Sequence, residues 1–137
     1  METKNFLAFL DISIIDIIPQ KFQRELIEIG LSKKNLFLQN VRMEELRSFR
    51  LCPVISKTIN GKFKVDGFAF YSLLQFSYGE KFRFDLIDKA IKNNKKLFFF
   101  REDIFIQNKS DLIKIKNSLK LFKTNNQTFI KKILNLQ

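Results

Sequence analysis

The dipeptide Asn60-Gly61, inside VISKTINGKFKVDGFAFY at residues 54–71, places the tightest local constraint on what this chain can fold into. Asn and Gly tolerate positive φ at both central positions of a two-residue turn, and alternating segments flank them. The stretch therefore reads as a β-hairpin. In the two-residue register Ile59 faces Lys62, Thr58 faces Phe63, Lys57 faces Lys64 and Ser56 faces Val65. One face would carry Phe63, Val65, Ala69 and Tyr71 toward a core. The other would carry Lys57, Lys62, Lys64 and Asp66, followed by Phe68 and Phe70.

Around that hairpin there is ample apolar material for one core: 137 residues, 45% of them hydrophobic, with 17 Phe. The net charge is +11, which attracts polyanions. Lys, Asn, Ile and Phe are abundant and Gly and Pro scarce, a bias that an AT-rich genome would impose regardless of function. The distribution of charge says more than its total. Residues 1–50 hold 8 Lys and Arg against 7 Asp and Glu, whereas residues 51–137 hold 17 against 7. The C-terminal region is thus the polyanion-facing one.

Histidine is absent, which removes the commonest general base and every Ser-His or Cys-His pairing. The single cysteine, Cys52, excludes an internal disulfide and a multi-thiolate metal site, and its apolar neighbours read as those of a small buried side chain. No cofactor is expected. No glycine-rich loop precedes a helix, so phosphate-cradling nucleotide sites are not indicated. Asp66 and Glu80 follow the order of acids in a carboxylate nuclease, but Lys81 directly after Glu80 would lie on the opposite face of a strand.

Along the chain, FLAFLDISIIDII is apolar at both helix and strand period and ends at Pro19. Asp11 and Asp16 interrupt it, so it does not read as a signal peptide, and no segment has the length of a membrane span. PQKFQRELIEIG predicts a helix with Phe22, Leu26 and Ile29 on its inner face and Gly30 as its stop. NLFLQNV predicts a strand. FDLIDKAIKNNKK predicts a helix with Asp85 as N-cap and an inner stripe of Leu86, Ile87, Ala90 and Ile91. LFFFRED and IFIQ predict strands, and Ser110 is expected to cap a further helix. After TNN a final short helix is expected, with Phe129, Ile130, Ile133 and Leu134 on one face.

Basic residues interleave with aromatics in GKFKVDGFAFY, YGEKFRF and KNNKKLFFFR. Cations neutralise phosphates and exposed rings stack on unpaired bases, so this combination suits nucleic-acid binding. The candidate binding residues are Lys57, Lys62, Lys64, Phe68, Phe70, Lys81, Arg83, Lys95, Lys96 and Arg101. The sequence-based expectation is one α+β domain over residues 1–137, with a small antiparallel sheet built on the 54–71 hairpin and flanking helices. It would be a cytoplasmic, non-enzymatic accessory protein binding RNA or single-stranded DNA. A protein adaptor with an apolar partner surface is the alternative, and a metal-dependent nuclease the third reading.

Overall fold

The computed structural model describes residues 4–11, 18–44, 53–61, 64–78 and 81–124, with side chains at 44, 53, 74, 77–82 and 118–124 left undescribed. Its centre is a five-stranded sheet, ordered β2-β1-β3-β6-β7. The strands are β1 (Lys4–Asp11), β2 (Leu36–Glu44), β3 (Gly67–Phe70), β6 (Lys96–Phe99) and β7 (Ile104–Ile106). The first four run parallel, and only β7 pairs antiparallel, with β6. A two-stranded ribbon, β4 (Ser77–Tyr78) with β5 (Lys81–Phe82), stands apart.

Parallel strands need long crossovers, and helices supply them. The chain passes from β1 through α1 (Gln20–Lys33) to β2, through α2 (Pro53–Asn60) to β3, and through α3 (Phe84–Lys92) to β6; α4 (Lys109–Thr124) follows β7. The alternation of strand and helix, with both sheet faces covered, is an α/β architecture. It replaces the expected small antiparallel sheet.

The three central strands, β1, β3 and β6, read as apolar runs because they are buried on both faces. Phe6, Ala8, Leu10, Ala69, Tyr71 and Phe98 point to one side and pack with Ile27 and Leu31 of α1. Leu7, Phe9, Phe68, Phe70, Leu97 and Phe99 point to the other and pack with Ile55 and Ile59 of α2 and Leu86, Ile87 and Ala90 of α3. Strand register places Phe9, Phe70 and Phe99 side by side. Their rings stack across three strands, at centroid separations of 5.2 and 5.1 Å.

The hairpin expected at 54–71 is corrected outright: Pro53–Asn60 is helix, and only Gly67–Phe70 is strand. Ile55, Thr58 and Ile59 recur at helical spacing and are buried. The Thr58 hydroxyl donates to the Val54 carbonyl one turn back, at 2.7 Å, which satisfies it inside the helix. Pro53 sits at the first helical position, where its missing N–H costs nothing. Asn60-Gly61 is not a strand turn but the point where α2 stops, with the Gly61 N–H donating to the Thr58 carbonyl at 3.1 Å.

Two other helix boundaries differ from expectation for backbone reasons. Gly30 does not end α1, which runs on to Lys33. A Cβ at Gly30 would come within 2.7 Å of the Phe98 ring, so glycine there lets helix and sheet approach. Asparagine takes the left-handed position after both α1 and α3, at Asn35 (φ 59°) and Asn94 (φ 60°). At α4 the cap is Asn108 rather than Ser110: its Oδ1 accepts the Asp111 N–H at 3.0 Å. The expected final helix near Phe129 and the Cys52 position lie outside the described residues.

Candidate functional site

In open α/β sheets, ligands bind at the carboxyl ends of the strands, where neighbouring connections leave in opposite directions. Here that point lies between β1 and β3, because the chain goes outward from β1 to β2 and returns on the far side to β3. The residues found there are mostly buried and polar. Asp11 ends β1 and is fully buried. Gln23 of α1 closes over it, accepting the Asp11 N–H at 3.0 Å and donating to the carbonyls of Asp11 (3.1 Å) and Ile18 (3.0 Å).

Gln75 does the same for β3 from the 3-10 turn Leu73–Phe76. Its Oε1 accepts the N–H groups of Tyr71 (2.7 Å) and Ser72 (3.2 Å), and its Nε2 donates to the Phe9 carbonyl at 2.9 Å. One amide thus bridges the ends of β1 and β3. From the β6–β7 turn, Glu102 accepts the Ser72 hydroxyl at 2.6 Å and the Leu73 N–H at 3.0 Å. Burial pushes the Glu102 carboxyl above the usual carboxylate range, against the opposing pull of those two donors and of the Arg101 charge. The pair has the form of a hydroxyl beside a proton acceptor, with the Arg101 cation next in sequence.

The ten residues singled out from the sequence do not form one face. Phe68 and Phe70 are 1% and 0% exposed, so neither ring is presented to a base. Lys62 lies outside the described residues, and Lys81 sits on the short ribbon. Arg83 and Arg101 belong to the carboxyl end, where Arg83 forks onto Asp85 at 2.9 and 2.8 Å and holds that carboxyl below its ordinary range. Lys64, Lys95 and Lys96 gather at the opposite, amino end of the sheet, and Lys57 lies on the α2 segment running toward it. Asp66 is there too, its carboxylate accepting the Asn5 N–H at 2.7 Å. Among the described residues no cluster of three or more His, Cys, Asp or Glu side chains could hold a metal ion. No described helix is long and apolar enough to cross a membrane.

Sequence reasoning missed Gln23, Ser72, Gln75 and Glu102. A signal existed in FAFYSLLQF, where two polar residues interrupt an otherwise apolar stretch just past the strand.

No protein-family model matches this chain, and no curated protein does. Two solved structures share its fold. A resolvase family site-specific recombinase from Streptococcus pneumoniae superposes with a TM-score of 0.66 at 11% identity, over 96% of this chain and 94% of that one. The N-terminal catalytic domain of TP901-1 integrase gives 0.62 at 15% identity, over 89% of this chain and 98% of that domain. The expectation of a non-enzymatic accessory module is overturned by this likeness: the two structures that share the fold are a site-specific recombinase and the catalytic domain of an integrase.

Proposed function

We propose that this chain is a DNA-acting domain of the site-specific recombinase type, working at the carboxyl edge of its sheet. The observation that carries the reading is end-to-end correspondence with the resolvase family recombinase, 96% of one chain against 94% of the other. A net charge of +11 supplies the attraction to a phosphate backbone that such work requires.

Breaking and rejoining a phosphodiester needs a nucleophile in line with phosphorus, a proton acceptor, and cations where charge develops. Arg83 and Arg101 supply cations at this end, and Glu102 is a carboxylate with raised proton affinity. Duplex DNA fits better than RNA or a single strand. Stacking on unpaired bases needs exposed rings, and the two phenylalanines nominated for it are buried.

The test is incubation of the purified protein with supercoiled plasmid, read on native and denaturing gels. Cleaved, relaxed or protein-linked plasmid is the expected result, weakened by Arg101→Ala more than by Lys57→Ala. Absence of any DNA affinity near physiological salt would remove the reading.

A further inference from the structure

At the amino ends of the strands the structure holds like charges together. Lys4 opens β1 and Lys96 opens β6, and Gly67 of β3 pairs with Lys96 on one side and with Phe6, two residues past Lys4, on the other. The Asp66 N–H donates to the Asn5 carbonyl at 2.8 Å and the Lys96 N–H to the Asp66 carbonyl at 3.0 Å, so three chain segments are locked edge to edge. Lys64 projects from the same edge two residues before Asp66 and is exposed. Lys95 adds charge beside them, although its ammonium already donates to the Val65 carbonyl at 2.6 Å.

We propose that Lys4, Lys64 and Lys96 form a second phosphate-binding surface, which grips the backbone of duplex DNA at the end of the sheet remote from the carboxyl edge. DNA as the ligand rests on the reading above; the location does not. Three considerations support it.

First, the Lys4 and Lys96 ammonium groups meet each other. Their contact, together with partial burial, lowers the proton affinity of Lys96 despite the attraction of Asp66. A phosphate oxygen seated between two such groups turns their repulsion into two charge-assisted hydrogen bonds. Second, Asp66 brings one negative charge to this edge against the three positive charges of Lys4, Lys64 and Lys96, so the group stays net positive. Third, a structural explanation exists for other lysines at this end but not for these. Lys89 and Lys92 lie in the last turn of α3, where the helix dipole favours cations, and Lys92 pairs with Asp88 at 3.1 Å. Lys4 and Lys96 start strands, which have no such dipole.

The experiment is fluorescence anisotropy of a labelled random-sequence duplex across a salt series. It compares the parent with Lys4→Ala/Lys64→Ala/Lys96→Ala and with a control triple of equal charge change, Lys21→Ala/Arg24→Ala/Lys109→Ala, at exposed positions of α1 and α4. Each phosphate contact contributes about 0.9 to the slope of log affinity against log salt, so the amino-edge triple is expected to flatten it by roughly 2 to 3. The control should change it by less than about 1, and an all-arginine version of the amino-edge triple should restore it. Equal loss in both triples means bulk charge and overturns the proposal. Unchanged binding by the amino-edge triple overturns it while leaving the carboxyl-edge reading intact. Binding of the parent to anionic phospholipid vesicles but not to duplex overturns both.

Discussion

The two ends of the sheet solve opposite problems. At the carboxyl end, backbone groups that the ladder leaves over are buried, and neutral amides are recruited to satisfy them. Gln23 and Gln75 each make three hydrogen bonds there. At the amino end the backbone is satisfied by neighbouring strands and by charged side chains, Asp66 on the Asn5 N–H and Lys95 on the Val65 carbonyl, and Lys4 and Lys96 are cations in mutual repulsion. The difference teaches where each end keeps its free energy. The carboxyl end is stabilised by short-range, directional bonds that salt does not screen, whereas the amino end carries a long-range, screenable cost.

The comparison is tested most severely at Gln75. Gln75→Leu leaves two N–H groups and one carbonyl buried without their partner, and each orphan costs about 1 to 3 kcal/mol. An overall loss of about 4 kcal/mol in urea unfolding is expected, and a loss below about 1 would mean that water replaces the amide and the end is open.

Gly67→Ala probes the amino end in the same currency. A Cβ there would collide with the Lys96 carbonyl and come within 2.6 Å of the Phe6 ring. The carbonyl is backbone and cannot swing aside, so a loss of about 3 kcal/mol is expected, at the upper end for overpacking. An unchanged melting temperature would show the amino end to be looser than its register implies.

Two smaller effects separate the ends by pH. Because the folded Glu102 binds its proton more tightly than the unfolded chain does, stability should fall as pH rises from its ordinary value of 4.5 through the raised one, then level off. Glu102→Gln should abolish that drop, as measured by urea midpoints across the acid to neutral range. For Lys96 the sign reverses. Its folded proton affinity is lowered, so stability should rise as pH climbs through the lowered value toward 10.5. Lys4→Gln should remove that rise and shift stability at neutral pH by no more than about 0.5 kcal/mol, as usual for an exposed charge.

Much of the element list was legible in the sequence. The strands at NLFLQNV, LFFFRED and IFIQ and the helices after Pro19 and around Leu86 are present near their expected positions, although α3 starts at Phe84, so Asp85 lies in its first turn rather than capping it. The arrangement was not, for two physical reasons. PVISKTIN is rich in β-branched residues and is followed by Asn-Gly, so local propensity favoured a hairpin, while burial of Ile55, Thr58 and Ile59 on one stripe won in three dimensions. LAFL, FAFY and LFFF are continuous apolar runs separated by helical segments, which is the mark of a parallel sheet; assigning FAFY to an alternating hairpin hid the topology.

The inner face of α1 shows a further limit. Hydrophobicity selects Phe22, Leu26 and Ile29, yet the structure buries Gln23, Ile27, Gly30 and Leu31 and leaves Phe22 and Ile29 each 49% exposed. Gln23 is inside because its amide closes β1, and Gly30 because Phe98 needs the room. Neither requirement can be read from polarity. The candidate site was hidden for the same reason, since its polar side chains are buried for the backbone groups they meet.

The bond from Gln75 to the Phe9 carbonyl spans 66 residues of chain. No local segment can form it, so β1 gains its far neighbour only by closing a long loop. Closing a loop of that length is entropically slow, and parallel pairings of this kind place a protein among the slower folders of its size. During that interval β1 has a bare flank beside a run of phenylalanines, which invites pairing with another chain. Refolding yield should therefore fall with protein concentration well before equilibrium stability is affected, and the drop should be steeper in Gln75→Leu than in Lys4→Gln.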